Sequence, residues 1–168
     1  LAFGTGHHAS TQLALILLEE LFYDNKSKLS NVLDVGTGSG ILAMGCGLFG
    51  AHRVLAIDND PDAVETANNN IIRNGLAHSI TVSSQDIASV TPGHNLIVAN
   101  ITHDTLAAMA ETLTGLLAPE GCLVLSGILA GGQEKSICDI YTGHGLHFIK
   151  ILTKDEWAAL LFQKEKLQ

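Results

Sequence analysis

The sequence predicts an α/β fold with a doubly wound, mostly parallel sheet of seven strands and an antiparallel C-terminal hairpin strand. Two observations carry this prediction. Short runs rich in aliphatic and β-branched residues alternate with helix-like segments, which is the order of a parallel sheet with helices on both faces. The last two strand-like runs have no helix between them, as expected for an antiparallel pair at the edge of the sheet.

The predicted elements follow one another in a regular order. The first helix covers 10–23, with Ser10 or Thr11 able to cap it. Pro61 suits the first turn of a helix, and residues 119–121 (Pro-Glu-Gly) predict a turn before a strand. The predicted strands are 31–35, 53–58, 79–83, 95–99, 121–126, 146–152 and 157–163, and the further helices are 40–50, 61–74, 104–117 and 132–143.

Length and composition limit the classes of function. A chain of 168 residues with 46% apolar residues is long enough for one domain with a buried core. The net charge of −8 argues against direct nucleic-acid binding, which needs a basic face, and leaves a basic protein partner open. No signal peptide and no membrane-spanning run are visible. Three cysteines without a Cys-x-x-Cys pair predict core thiols in a reducing cytoplasm.

A glycine-rich turn follows the first predicted strand. Residues 36–40 read Gly-Thr-Gly-Ser-Gly and lead into a helix, an arrangement that sets a helix N-terminus against a ligand. The third glycine comes one position too early for the dinucleotide fingerprint G-x-G-x-x-G, and Ile41 holds the place where the glycine is needed. Asp58 ends the second strand, where its carboxylate can accept hydrogen bonds from both hydroxyls of a ribose. Both NAD and S-adenosylmethionine carry such a ribose.

Asp34 distinguishes the two ligands. It lies two residues before Gly36, where its carboxylate repels a pyrophosphate and suits the ammonium or sulfonium of S-adenosylmethionine. The alternative is a strand-end residue bonded to N–H groups of the loop. Together with Asp58, the pattern resembles motif I of the class I S-adenosylmethionine-dependent methyltransferases, which have a Rossmann-like fold. Gln85-Asp86-Ile87 resembles the adenine-edge segment of that superfamily, although Asp86 could equally cap a loop.

Five segments resemble one family more specifically. The chain reads AFGTGHHAST, GTGSGILA, IDNDPDAV, VANI and LSGIL. The methyltransferases of ribosomal protein L11 (PrmA type) carry AFGTGTHPTT, GxGSGILA, IDxDPxAV, VANI and LSGIL in the same order. This resemblance implies methyl transfer from S-adenosylmethionine to lysine or N-terminal amino groups of that large-subunit protein. It also implies that residues 1–168 are the catalytic domain, without the family's N-terminal recognition domain; the absence of an initial Met predicts a fragment of a longer protein.

The resemblance assigns roles to particular residues. Thr11, Gly36, Asp58 and Asn100 match the family's cofactor-contacting positions, and Gly38 lies in the same glycine loop. Asn100 is the candidate catalytic residue, because its carbonyl could accept a hydrogen bond from the attacking amine; the alternative is an Asn bonded only to its own loop. Thr11 could bind the methionine carboxylate or act as a plain N-cap.

Departures from the family concentrate near the acceptor. The N-terminal segment differs at three positions, and residues 102–104 read Thr-His-Asp where the family has Leu-Ala-Gly. These changes predict a tuned acceptor pocket or a different target. His103 is a weak candidate base, and no acidic or cysteine cluster beside His7 and His8 supports a metal site, so none is predicted. The segment 3–6 is predicted to fold over the cofactor as a lid.

Three other classes of function remain open on the sequence. The first is a methyltransferase that acts on another protein or on a small molecule. The second is an NAD(P)-linked oxidoreductase, against which Asp34 and Ile41 weigh. The third is a cofactor-binding module without activity, which the joint presence of Asp58 and Asn100 disfavours.

Overall fold

The computed structural model describes residues 6–25 and 28–167. Except for Gly6, the segment predicted as a lid lies outside these residues. The strands are β1 (Asn31–Val35), β2 (Arg53–Ile57), β3 (Ile80–Ser83), β4 (His94–Asn100), β5 (Leu117–Leu129), β6 (Leu146–Lys154) and β7 (Trp157–Lys164). The helices are α1 (Ala9–Asn25), α2 (Ile41–Phe49), α3 (Pro61–Arg73), α4 (His103–Ala108), α5 (Ala110–Leu116) and α6 (Gln133–Gly143), with a short 3₁₀ turn at Ile87–Ser89.

The strands form one seven-stranded sheet in the order β3-β2-β1-β4-β5-β7-β6. Strands β1 to β5 are parallel, and β7 inserts antiparallel between β5 and β6. This confirms the predicted doubly wound, mostly parallel sheet with an antiparallel C-terminal hairpin. The strand order reverses beside β1, and ligands bind open α/β sheets at the carboxyl ends of the strands at such a switch point.

Apolar layers cover both faces of the sheet. One layer packs α1 and α2 against the sheet through residues such as Leu17 and Val54, and the other packs α4, α5 and α6 through Ile97 and Phe162. Tyr141 lies within the second layer, and its hydroxyl donates to the backbone oxygen of Leu106 at 2.8 Å. Burial on both faces explains why the inner parallel strands are continuous apolar runs. Among the described residues, no helix is long and apolar enough to cross a membrane.

The N-terminus of α1 differs from the prediction. The helix begins at Ala9, so Ser10 and Thr11 lie inside its first turn and neither is the cap. His8 precedes the helix, and its Nδ1 accepts a hydrogen bond from the Ser10 backbone N–H at 3.3 Å. A histidine therefore performs the capping that the sequence assigned to a hydroxyl, because its ring nitrogen accepts from a backbone N–H of the first turn.

Two further elements are less regular than predicted. The helix predicted over 104–117 is divided at Met109, whose backbone leaves the helical region at φ −94° and ψ 3° while its N–H still donates to Thr105. The predicted turn at 119–121 lies within β5 as a bulge. Glu120 adopts φ 61° there, and the pairing with β4 jumps from Leu117 to Cys122.

Candidate functional site

Two adjoining cavities lie at the carboxyl ends of the parallel strands. The β3-side cavity has a volume of about 560 Å³ and is lined by Val35, Gly36, Ile57, Asp58, Asn59, Ser84, Gln85, Asp86, Ile87, Ile101, Thr105 and Met109. The β5-side cavity has a volume of about 720 Å³ and is lined by His8, Ser10, Gly36, Gly38, Asp58, Asn59, Asp60, Ala63, Asn100, Ile101, Thr102, Thr105, Gly127 and Trp157. Gly36 and Asp58 belong to both linings, so the glycine loop and the end of β2 form the junction between the cavities.

The glycine loop is tied to the end of β2. The N–H groups of Gly36 and Thr37 both donate to the backbone oxygen of Ile57, at 2.9 and 3.0 Å. Gly36 has φ +71°, and a Cβ added there would lie 2.6 Å from Cγ2 of Ile101. Only glycine therefore allows the loop to lie this close to the segment after β4. The predicted loop and its first glycine stand at the cavity junction.

Asp58 is held by backbone donors at that junction. Its Oδ2 accepts from the Gly38 N–H at 2.9 Å, and its Oδ1 accepts from the Asp60 N–H at 3.0 Å. Each carboxylate oxygen keeps further acceptor capacity. The side chain is thus oriented by two loops and can still accept hydrogen bonds from a ligand.

Asp86 follows β3 in the β3-side cavity. Its Oδ1 accepts from the Ala88 N–H at 3.0 Å and caps the 3₁₀ turn at Ile87–Ser89. Gln85 and Ile87 line the same cavity beside it. The residue therefore performs the loop capping considered from the sequence while it also lines the cavity.

Asp34 lies beneath the glycine loop and belongs to neither cavity lining. It is 1% exposed, and its Oδ2 accepts from Thr37 Oγ1 at 2.7 Å and from the Ala43 N–H at 3.1 Å. Within the described chain, its Oδ1 has no hydrogen-bond partner. Burial raises the pKa of Asp34 to about 6, although the bonds from Thr37 and Ala43 act in the opposite direction. Its contacts are those of a residue that organises the loop, and its role toward the cofactor stays a prediction.

Asn100 joins β4 to α1. Its Nδ2 donates to Thr11 Oγ1 at 3.2 Å, so its partner lies 89 residues away and outside its own loop. Asn100 lines the β5-side cavity, whereas Thr11 is 2% exposed and lines neither cavity. A Cβ at Gly127 would lie 3.1 Å from Asn100 Oδ1, which places the carbonyl oxygen on the β5 side of the cavity. The structure thus brings Thr11 to the site as a partner of Asn100.

Sequence reasoning missed part of the β5-side cavity. Gly127 has φ +83°, and a Cβ there would lie 2.5 Å from the backbone oxygen of Ile101. The LSGIL segment contains this glycine and was the available signal for it. Trp157 also lines the cavity, and nothing in its local sequence indicates this, because only the sheet order brings β7 beside β5. His8 lines the cavity too, which agrees with the interpretation of His7 and His8 as surface or pocket-lining residues and not metal ligands.

His103 turns away from the cavities. Its Nδ1 and Nε2 bond to Asp104 Oδ1 at 2.8 Å and to Ser136 Oγ at 3.0 Å, and it lines neither cavity. Its neighbours Thr102 and Thr105 line the β5-side cavity and bond to each other at 2.9 Å. These geometries give His103 no contact with the cavity in which it was considered as a base.

The described lining of both cavities is anionic. It includes Asp58, Asp60 and Asp86 and no lysine or arginine. Phosphate groups are usually held by cationic side chains together with backbone N–H groups. This lining therefore suits a cationic ligand better than a diphosphate.

The sheet order and the glycine loop with its acidic partner define a Rossmann-like domain of the methyltransferase type. Magnesium protoporphyrin IX methyltransferase of Synechocystis PCC 6803, solved with bound S-adenosylmethionine, shares this fold with a TM-score of 0.76 at 21% identity, covering 92% of this chain and 79% of that chain. A narrower assignment comes from the sequence model of the ribosomal protein L11 methyltransferase (PrmA) family, which matches residues 1–165. The chain belongs to this family.

Individual relatives agree with this assignment. The ribosomal protein L11 methyltransferase of Desulfotalea psychrophila is 45% identical over 164 residues, covering 98% of this chain and 54% of the relative. That of Syntrophotalea carbinolica is 41% identical, covering 98% and 53%. The crystal structure of ribosomal protein L11 methylase from Lactobacillus delbrueckii subsp. bulgaricus gives a TM-score of 0.85 at 31% identity, covering 95% of this chain and 81% of that one. The chain spans about half the length of the curated relatives that it matches.

Proposed function

We propose that this domain transfers a methyl group from S-adenosylmethionine to amino groups of ribosomal protein L11, on lysine side chains or the N-terminal amine, in the cytoplasm. The observation that carries the proposal is the placement of Asp58 and Asn100 in one anionic cavity of a chain that belongs to the PrmA family. The proposal takes residues 1–168 as the family's catalytic domain, with its recognition domain outside this chain.

The described residues fit the cofactor. Gly36 has no Cβ, which would collide with Ile101, so the glycine loop can lie close to the segment after β4 and leave its backbone open to a ligand. The adjoining cavities measure about 560 and 720 Å³. Asp58 would accept the ribose hydroxyls, and Asp86 would stand at the adenine edge in the β3-side cavity. Gly38 would face the methionine end, and the buried carboxylate of Asp34 would act on its positive charge from beneath the glycine loop. When bound, S-adenosylmethionine supplies a methyl group that its positive sulfur already activates.

Asn100 would orient the acceptor. Thr11 accepts a hydrogen bond from the amide nitrogen of Asn100, which leaves the carbonyl oxygen of Asn100 to accept one from the incoming amine. This holds the nitrogen lone pair in line with the methyl group. Alignment of two reactants can lower an activation barrier by about 7–11 kcal/mol, so positioning is the main contribution of the chain.

A lysine acceptor must first lose a proton. With an ordinary pKa near 10.4, deprotonation costs roughly 4–5 kcal/mol at neutral pH. A cavity that excludes water lowers this cost, because it disfavours the charged ammonium, whereas Asp58 and Asp60 oppose that effect by favouring the cation. Release of the proton to water requires no base from the chain.

The test is a methylation assay with labelled S-adenosylmethionine. We expect label in ribosomal protein L11, and peptide mass spectrometry should locate it on lysine or on the N-terminal amine. Label in a different ribosomal protein or in a small molecule would show that this compound, and not ribosomal protein L11, is the methyl acceptor. Calorimetric titration tests the cofactor independently: tight binding of NAD without binding of S-adenosylmethionine would overturn the methyltransferase assignment.

A further inference from the structure

An aromatic wall forms part of the lining of the β5-side cavity. Trp157 and His8, which form this wall, both line the cavity, and their ring centroids lie 4.6 Å apart at an interplanar angle of 67°. Trp157 is half-buried and begins β7, where its backbone pairs with Leu129 of β5 and Lys154 of β6. The indole is therefore attached to the sheet by strands on both sides.

The surroundings of the wall favour a cation. The same cavity contains the carboxylates of Asp58 and Asp60, and its described lining contains no lysine or arginine. The face of an indole ring attracts cations through its quadrupole, more strongly than the other aromatic side chains do. Asn100 can hold an ammonium only through its N–H groups, and the carboxylates lose their hydrogen bonds to the nitrogen, but not their charge attraction, when methyl groups replace those N–H groups. A fully methylated nitrogen has no N–H group, and the face of an aromatic ring can still bind it through its positive charge.

We propose that Trp157 determines acceptor specificity by receiving the cationic nitrogen of the acceptor, including its methylated forms, against its ring. This inference rests on the proposed function for the identity of the amine. Asn100 orients an amine that still carries an N–H, and Trp157 holds the nitrogen when methyl groups have replaced its protons. Retention of a partly methylated amine beside the cofactor permits a further transfer.

Choline and its neutral carbon isostere, the alcohol in which a carbon replaces the nitrogen, test the subsite without any methyl transfer. The chain has one tryptophan, so its intrinsic fluorescence reports on Trp157 alone. We expect choline to change the emission in a saturable way and the isostere to bind roughly tenfold more weakly or not at all. Equal responses to the two compounds, or no response to choline, would overturn the proposal.

Variants test whether choline binds at Trp157. Binding is measured by a second readout, the line width of the trimethyl proton signal of choline. Trp157→Phe should weaken choline binding about threefold, and Trp157→Leu roughly tenfold or more, because the ring quadrupole is first reduced and then removed. The matched control is Tyr23→Leu, which removes an aromatic ring that is 90% exposed and lies on α1 outside both cavities. Unchanged binding in both Trp157 variants contradicts the proposal. If Trp157→Leu loses its circular dichroism, Trp157→Phe and the isostere comparison decide.

The product distribution separates this inference from the proposed function. With S-adenosylmethionine and ribosomal protein L11, Trp157→Phe should release more singly methylated amine than the natural chain, with a smaller effect on the first transfer. An unchanged distribution contradicts the role of Trp157 in retention. Selective choline binding without any methyl transfer to L11 would instead reject the proposed function and leave the cation subsite in place.

Discussion

Asn100 is the side chain in which binding and chemistry can be separated. Its amide nitrogen is engaged by Thr11, and its carbonyl oxygen lies beside Gly127, which also lines the β5-side cavity. We predict that Asn100→Ala lowers the single-turnover rate about a hundredfold, because an acceptor that is misplaced by an ångström loses most of its alignment. The dissociation constant for S-adenosylmethionine, measured by calorimetry, should change by less than about tenfold. Equal losses of rate and affinity would reassign Asn100 to cofactor binding.

Asn95 provides a matched control for this experiment. It lies on the same strand as Asn100 but at the opposite end, where its Oδ1 accepts hydrogen bonds from Ser30 Oγ and the Asn31 N–H. Asn95→Ala should therefore lower the free energy of unfolding without a specific loss of turnover. If both variants lose turnover equally, the effect of Asn100→Ala comes from the strand as a whole.

Asp34 makes stability depend on pH. Its pKa is raised from an ordinary value of 3.8 to about 6, mainly by burial and to a small extent by the nearby Asp58. The folded state therefore holds the proton more tightly than the unfolded chain. The stability that this contributes is fully present below pH of about 4 and is lost as the pH rises through about 6. The size of the effect is about 3 kcal/mol.

Asp34→Asn isolates this contribution. The asparagine carbonyl can still accept from Thr37 and Ala43 but does not titrate. We expect the free energy of unfolding of the natural chain, minus that of the variant, to fall between pH 4 and 6 and to level off above. Urea unfolding at several pH values measures this difference, and parallel curves for the two proteins would show that Asp34 does not titrate as inferred.

At the scale of elements, the close approach of β5 to the end of β4 depends on Gly127. A side chain there meets the backbone oxygen of Ile101 at 2.5 Å and Asn100 Oδ1 at 3.1 Å, so Gly127→Ala must displace the segment that carries Asn100. We predict a loss of stability of several kcal/mol, from the positive φ and the collision together, and a fall in turnover of at least about tenfold.

Gly131→Ala separates strain from collision. Gly131 also has a positive φ, +97°, but a Cβ there meets no atom within 4 Å. Gly131→Ala should lower the free energy of unfolding only by the strain of the left-handed backbone, about 1–2 kcal/mol, and leave turnover unchanged. Urea unfolding and single-turnover rates of the two variants test this. Similar losses of turnover in both would mean that backbone strain at the end of β5, and not contact with Asn100, controls the site.

Elements with a strong local signal were predicted well. The alternation of apolar runs and helical segments indicated every strand and the antiparallel hairpin, with bounds that differ by few residues except in β5. The break in the helix at Met109 and the bulge at Glu120 were not predicted. The segment around Met109 keeps helical hydrogen bonds on either side, so its local pattern reads as one helix. Glu120 takes a left-handed conformation that is uncommon for a residue other than glycine, and its N–H donates to the backbone oxygen of Glu165, far along the chain.

At the scale of the whole molecule, the site combines residues that are distant in sequence. The glycine loop and Asp58 could be found because strand, turn and acid stand in a fixed order within one βαβ unit. The aromatic wall and the bond between Thr11 and Asn100 could not, because each joins the N-terminal end of α1, or the residue before it, to a strand far along the chain. The sequence predicted Thr11 at the site only through family resemblance. The structure gives that position a physical role, which is to orient the amide of Asn100.

The net charge of the whole chain bears on how it meets its proposed partner. A charge of −8 gives a long-range attraction to a basic ribosomal protein, and the carboxylates in the β5-side cavity extend it to the point of reaction. Such attraction is screened by salt, because the Debye length is only about 8 Å at physiological ionic strength. We therefore predict that KM for ribosomal protein L11 rises about tenfold between roughly 0.05 and 0.3 M salt, with a smaller change in kcat.

KM for S-adenosylmethionine, measured in the same series, is the internal control, because a small ligand with one net positive charge is steered less strongly than a basic protein. Asp60→Asn, at the rim of the β5-side cavity, removes one charge and should reduce the salt dependence of KM for the protein acceptor. A KM for ribosomal protein L11 that is constant across the series would mean that apolar contact dominates the encounter. In that case the negative charge of this chain serves solubility and does not contribute to recognition.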